Sequence, residues 1–268
     1  MSEPTRVIIV TGGASGIGLA ISAGLLADGH AVTVMDASAD AVANARESLP
    51  GAHVVHGDVT RPDDCAGVVA ETMARFGGVG VLINNAGIGV SALRDDAELR
   101  LPSIEELTPE IYHRFLDVNV VGPVNMTRAC IGHMKAAGWG RIVNNTTSYL
   151  TMHRLQPYGA TKSALESISA VWAKELDGTG VTVNVVVPGG PTDTPFVKEI
   201  GIPREKMLRP EVMLPPVRWL IGEAANGLTG RRFVAGHWDT RLDPAAAAAK
   251  CARSIAWPEL TGDVVWGR

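Results

Sequence analysis

Short runs of β-branched and apolar residues recur along this chain, separated by longer alanine-rich stretches with helical spacing. Val7–Val10 reads as a buried strand, and after a glycine turn a helix runs to about Asp28. The same alternation predicts strands at Ala31–Met35, His53–His56, Val79–Ile83, Arg141–Asn145 and Val181–Val187. Between them it predicts helices at Ala37–Leu49, Pro62–Phe76 and Tyr158–Leu176, and a long one from Pro109 to about Ala137 that runs through Gly122-Pro123. Strands apolar on both faces, interleaved with helices, imply a parallel sheet covered on both sides. The predicted fold class is α/β: a doubly wound parallel sheet of about seven strands. No linker, repeat or composition break divides the chain, so residues 1–268 read as a single domain.

Two stretches interrupt the alternation. Ile88–Thr108 is a polar connection longer than an ordinary βα loop, which predicts a functional or mobile segment. Residues 188–216 carry seven prolines and little apolar periodicity. They follow the sixth strand at its carboxyl end, where open α/β sheets bind ligands, and are expected to cover the substrate. From about Trp238 to residue 268 the tail holds five consecutive alanines, Trp257 and Trp266, with no legible role.

Composition narrows the function. Hydrophobic residues make up 46% and charged ones 19%, which suits a packed core. A net charge of -4 offers no basic footprint, so no nucleic-acid partner is expected. The longest apolar runs, such as Val181–Val187, fall far short of the roughly 20 residues of a membrane helix, so no membrane partner is expected. The strand pattern starts at Val7, leaving no room for a signal peptide. Cys65, Cys130 and Cys251 are widely spaced and fit reduced thiols, so the predicted location is cytoplasmic. The seven histidines lack paired-ligand spacing, and no metal site is predicted.

Chemistry enters at the first turn. Gly12, Gly16 and Gly18, with Ser15 and Ile17 between them, stand between a strand and a helix. Glycine lets the backbone approach a pyrophosphate, whose charge then faces a helix N-terminus. Asp36 closes the second strand, where a carboxylate accepts hydrogen bonds from the adenosine ribose hydroxyls and repels a 2′-phosphate. Ser15 and Ala37 offset none of that charge, so NAD is preferred over NADP. Tyr158 and Lys162, four apart, share one face of a helix. A phenol ordinarily holds its proton to about pH 10, and a neighbouring ammonium lowers that value. Alone, such a pair is a common surface coincidence.

Taken in order, Thr11-Gly12-x-x-x-Gly16-x-Gly18, Asn84-Asn85-Ala86-Gly87 and Tyr158-x-x-x-Lys162 resemble the short-chain dehydrogenase/reductase family, over about Val7 to Pro195. The resemblance implies a Rossmann-like fold, and hydride transfer between nicotinamide C4 and a secondary alcohol or ketone. It implies that Tyr158 is the general acid/base and that Lys162 lowers its pKa. It also implies that Asp58 and Val59 contact the adenine, and that Asn85, Ala86 and Gly87 stiffen the sheet beside the cofactor. Asn119 matches the family's asparagine that holds a water in the proton relay. Pro188 and Gly189 would begin the segment over the nicotinamide, with Thr192 or Thr194 touching its carboxamide or a phosphate. A homo-oligomer, dimer or tetramer, built on the helices at 109–137 and 158–176, is a further implication.

The chain departs from the family in two places. The family's catalytic serine stands about 13 residues before the tyrosine, whereas here Thr147 lies 11 and Ser148 10 residues before Tyr158. Alternation of faces along a strand allows only one of the two hydroxyls to meet the substrate, and either can be it. Near the end, Thr229-Gly230 keeps the start of the family's last strand, but the glycine-rich finish is replaced up to Trp238. Leu150, Met152, His153 and the segment from Phe196 to Met213 are expected to line the substrate pocket, with His153 and Phe196 as candidate contacts. An NADP-dependent 3-oxoacyl-type carbonyl reductase and a non-catalytic nucleotide-binding regulator are the alternatives.

Overall fold

The computed structural model describes residues 4–259, so Trp266 and the last stretch of the tail lie outside the described residues. Eight strands form one sheet: β1 Val7–Thr11, β2 Ala31–Asp36, β3 His53–His56, β4 Val81–Asn84, β5 Gly140–Asn145, β6 Val181–Val187, β7 Arg231–Val234 and β8 Ala252–Ser254. Their spatial order is β3-β2-β1-β4-β5-β6-β7-β8. All neighbours run parallel except β8, which returns antiparallel along β7. The order reverses at β1, so β1 and β4 diverge there into helices on opposite faces. That switch point is where an open α/β sheet binds ligands, outside the carboxyl ends of its strands.

Helices α1 Gly16–Ala27, α2 Ala39–Ser48, α8 Leu214–Ile221 and α9 Pro244–Cys251 supply the core on one face of the sheet, against Ile8, Val10, Val34 and Ile83. Helices α3 Pro62–Phe76, α5 Gly122–Ala137 and α7 Tyr158–Glu175 cover the other, against Ile9, Met35, Leu82 and Ile142. Successive residues of one strand thus serve opposite cores, which is why β1 and β4 are apolar up to their last residues, Thr11 and Asn84. Each such fully buried side chain contributes about 1.5–3 kcal/mol of transfer free energy. Cys65, Cys130 and Cys251 are buried and unpaired in these layers, and burial pushes the Cys65 thiol up to about 11 and that of Cys130 to about 12.

Three expectations change. The helix from Pro109 is not continuous: α4 Pro109–Leu116 passes through a π-helical turn, Asp117–Val121, before α5 begins. Pro123 lacks the N–H that an α-helix would return to the Asn119 carbonyl, and a single wider turn absorbs the defect. The tail, illegible in sequence, builds α9 from its alanine run, capped by the Asp243 carboxylate accepting from the Ala246 N–H at 2.9 Å, and then β8. The sheet therefore has one strand more than the pattern predicts, because β8 is short and charged and gives no period-two signal. No helix among the described residues is long and apolar enough to cross a membrane.

Candidate active site

A cavity of about 650 Å³ runs along the carboxyl ends of the central strands. One end is walled by Gly12, Ser15, Gly16 and Ile17, by Asp36, and by Asp58 and Val59. The chain must turn sharply from β1 into α1, and two glycines show why. Gly16 sits at φ +49, where a side chain is strained, and a Cβ on Gly18 would lie 2.0 Å from the Gly12 carbonyl oxygen. Thr11 ties this turn to β4: its Oγ1 accepts from the Asn85 N–H at 3.0 Å and the Ala86 N–H at 3.1 Å, and the Asn85 amide donates back to the Thr11 and Gly12 carbonyls. Asn85, Ala86 and Gly87 are thereby locked beside the glycine turn.

Asp36 leaves β2 with both oxygens used. Oδ2 accepts from the Ala14 N–H at 3.2 Å and Oδ1 from the Ser38 N–H at 3.0 Å. Among the described residues that wall the cavity, the cations are Lys162 and Arg154, both at the far end from Asp36. The donor set fits a dinucleotide: a backbone cradle that a Cβ would fill, a helix N-terminus, and a carboxylate placed for ribose hydroxyls.

The other half is built from β5, the one-turn helix α6 Tyr149–Met152, α7 and the segment after β6. Tyr158 and Lys162 open α7 one turn apart, with Lys162 Nζ 5.9 Å from the Tyr158 ring centroid. Nζ donates to the Asn145 carbonyl at 2.9 Å. Burial brings Lys162 down to about 8. Tyr158 does not follow the expected lowering. Burial pushes its phenol up, the neighbouring Thr147 hydroxyl pulls the other way, and the Glu98 carboxylate adds to the rise. The phenol in this setting is a firm proton holder.

The two candidate hydroxyls are separated by this geometry. β5 ends at Asn145, and Thr147 lines the cavity with Tyr158, near enough to ease the rise of its pKa. Ser148 instead caps α6, accepting from the Thr151 N–H at 3.1 Å and pairing with the Thr151 hydroxyl at 2.9 Å. Asn119 is fully buried in the π turn, where its amide clamps Ile88 by both main-chain groups and donates to the Thr161 hydroxyl at 3.0 Å. A Cβ on Gly87 would come within 3.0 Å of Asn119 Oδ1 and 3.5 Å of Lys162 Nζ, so Gly87, Asn119 and Lys162 are packed together.

The segment after β6 crosses the cavity as its composition suggests. Pro188, Gly189, Thr192 and Thr194 line it, and the Thr194 side chain lies 3.0 Å from where a Gly16 Cβ would be. Asp193 is pinned by Arg204 at 2.5 Å and Arg209 at 2.9 Å. Phe196 lies against the Tyr158 ring, centroids 5.7 Å apart, and its carbonyl accepts from Ser91 at 2.8 Å. Leu150 lines the cavity, whereas His153 is exposed and outside its wall, and Met152 is turned into the protein. Sequence reasoning missed Glu98 and Arg154, which also line this end. It missed as well the buried pair Glu166 and Arg232 beneath the Thr147 loop. Glu166 stands four residues beyond Lys162 on the same buried helix face, and that spacing was the available signal.

Comparison with known proteins agrees with this arrangement. The family model for short chain dehydrogenase matches residues 6–205. The chain is 37% identical over 189 residues to an uncharacterised oxidoreductase of Methylorubrum extorquens, covering 69% of this chain and 72% of that protein. It is 32% identical over 242 residues to the cis-4-hydroxycyclohexanecarboxylate dehydrogenase of Sinomonas cyclohexanicum, covering 84% and 92%. The crystal structure of 3-ketoacyl-(acyl-carrier-protein) reductase from Brucella melitensis complexed with NADH superposes with TM-score 0.71 at 27% identity, covering 84% of this chain and 93% of that one. A glycine turn at the sheet's switch point, a tyrosine and lysine one helical turn apart, and a family match over most of the chain converge: the protein is an oxidoreductase and belongs to the short-chain dehydrogenase/reductase family.

Proposed function

We propose that the protein is an NAD-dependent dehydrogenase or ketoreductase for a secondary alcohol and its ketone. Bound in the cavity, the nicotinamide supplies the carbon that gives or takes the hydride. Tyr158 exchanges the proton on the substrate oxygen, and Thr147 holds that oxygen against it. The observation that carries this reading is that Ser148 is spent on a helix cap, which leaves Thr147, beside Tyr158 in the cavity wall, as the free hydroxyl of the pair. Burial keeps Tyr158 protonated, so at neutral pH it is poised as the donor to a ketone oxygen. Lys162, three per cent exposed, sets a positive charge one turn from the phenol and stabilises the phenolate when that proton leaves. Asn119 anchors the main chain at Ile88 beside Lys162 and holds the relay's geometry. The segment 188–216 closes the substrate end, with Phe196 over Tyr158 as its innermost contact.

NAD preference rests on Asp36, whose carboxylate has no cation near it in the cavity wall. Subunits would associate over α4, the π turn, α5 and α7, where Leu116, Val121 and Val171 are exposed, and light scattering measures the mass. The test of the chemistry is a panel of secondary alcohols and ketones with NAD and NADP, read by nicotinamide absorbance. Turnover is expected with NAD, and Tyr158→Phe lowers kcat by about 10³-fold while cofactor affinity stays. Near-full turnover in that variant removes Tyr158 from the chemistry. Asp36→Ala is expected to shift the NAD/NADP preference by about 2 kcal/mol, roughly 30-fold. An unchanged ratio removes Asp36 as the discriminator.

A further inference from the structure

We propose that Arg232 and Glu166 are positioning residues for Thr147, and that the C-terminal segment at Ala256 locks them in place; the inference rests on the role given to Thr147 and Tyr158 above. Beyond Asn145 the sheet holds the chain by one bond more, the Thr146 N–H to the Val186 carbonyl at 3.3 Å, and then the ladder ends. What fixes the next residues is side-chain chemistry from two distant elements. The Thr146 hydroxyl donates to Glu166 Oε2 at 2.7 Å, and Arg232 Nη2 donates to the Thr147 carbonyl at 2.5 Å. Thr147 is thus gripped at its own carbonyl and at the residue before it.

The grip is charged and dry. Glu166 is 0% and Arg232 3% exposed, with Arg232 Nε 3.0 Å from Glu166 Oε1. Neither of those two atoms completes an aligned hydrogen bond, so the contact is held by charge. A buried ion pair is weak evidence for stability, since apolar residues of the same shape often serve the fold as well. Its geometry here is more specific. Tyr158, Lys162 and Glu166 are successive members of one i, i+4 row on α7. The helix that presents the acid/base therefore also anchors the loop that presents its hydroxyl partner, and both are referenced to one rigid element.

The tail completes the assembly. The Arg232 guanidinium carbon lies 4.3 Å over the Tyr149 ring. Tyr149 donates its hydroxyl to the Ala256 carbonyl at 3.0 Å and packs against Trp257, centroids 6.0 Å apart. The Ala256 main chain also lies close enough to Glu166 to favour its charged form. Ala256 holds φ +59, a left-handed conformation that a residue with a Cβ rarely adopts. Its carbonyl bond to Tyr149 and its place beside Glu166 hold it there.

The test compares kcat, KM, cofactor Kd and Tm across Arg232→Lys, Thr146→Val, Tyr149→Phe and Thr147→Ala, with the alcohol found active in the panel. Arg232→Lys keeps the charge beside Glu166 but not the second donor to Thr147. It is expected to leave cofactor Kd within about twofold and to lower kcat about tenfold, since a misplaced reacting group acts on turnover. Added to Thr147→Ala it should lower kcat no further, because both act through one hydroxyl. Tyr149→Phe, which releases only Ala256, is expected to lower kcat by a smaller factor. If Arg232→Lys does not fold, Thr146→Val, which deletes a single hydroxyl, carries the same expectation. Wild-type kcat in the folded one of these variants, or full multiplication of effects in the double variant, overturns the inference. Wild-type kcat in Thr147→Ala overturns the role of Thr147 and this inference together, whereas an impaired Thr147→Ala beside an unaffected Arg232→Lys overturns this inference alone.

Discussion

The two halves of the cavity are built in different ways. The half around β1, β2 and β4 is made of backbone: glycines with no room for a Cβ, main-chain N–H groups, and Thr11 and Asn85 stitching one strand end to the next. The half around β5, β6 and β7 is made of side chains drawn from positions up to 107 residues apart, as in the contact from Tyr149 to Ala256. A backbone cradle offers the same surface to any dinucleotide. A side-chain wall can be rebuilt for each substrate, and here Glu98, Arg154, Leu150 and Phe196 face the reacting end. The dinucleotide cradle thus sits on the backbone half, and the side chains that face the reacting end on the other.

The sharpest way to break this comparison lies on the side-chain half. Thr147→Ala removes a single hydroxyl beside Tyr158 in the cavity wall and is expected to lower kcat by about 100-fold, the effect of deleting one donor to a reacting oxygen. Ser148→Ala removes the cap of α6 and is expected to cost about 1 kcal/mol of stability with kcat changed far less. Steady-state kinetics and urea unfolding on both variants separate the two. Reversed ranking in kcat assigns the substrate contact to Ser148.

On the backbone half the matching experiment is Gly18→Ala. The new Cβ meets the Gly12 carbonyl oxygen at 2.0 Å, and backbone rather than a flexible side chain must yield. Overpacking of this kind costs about 1–3 kcal/mol, and the displaced turn should weaken NAD binding with little change in kcat at saturation. Fluorescence titration of NAD measures it. Wild-type affinity in this variant shows that the turn does not form the cradle.

The same contrast explains what the sequence made legible. The glycine turn, Asp36 and the Tyr158-Lys162 spacing are local signals, each complete within a strand, a turn or one helical turn, and all line one cavity. Thr147 and Ser148 could not be separated, because the choice depends on where β5 stops and on α6 claiming Ser148 as its cap. Glu166 and Arg232 were unreadable as a pair, since 66 residues separate them and only the adjacency of β5, β6 and β7 brings them together. His153, expected to line the pocket, is exposed at the end of α6 and lies outside the cavity wall. The π turn at Asp117–Val121 was implicit in Gly122-Pro123, yet an apolar period continuing on both sides hid it.

Lys162 joins the two halves and gives the smallest of the expected effects. It stands on the side-chain half, but its ammonium donates to the end of β5 and packs against Gly87 of the backbone half. Burial brings its pKa to about 8 from an ordinary 10.5, so below about pH 8 the folded protein holds a buried cation that the unfolded chain hydrates freely. Between the two values the unfolded chain binds more protons than the folded one, and stability rises with pH. Wild type is therefore expected to gain about 1 kcal/mol relative to Lys162→Met as pH goes from about 7.5 to 9, since each bound proton contributes 1.36 kcal/mol per pH unit. Urea unfolding of both proteins across that range measures the difference. The charge that disfavours folding near neutrality is the one proposed to steady a phenolate at Tyr158, so Lys162→Met should lose turnover while its relative stability is highest at the acid end. A flat stability difference across the range shows that Lys162 holds its ordinary pKa, and the site then lacks the buried charge that connects its two halves.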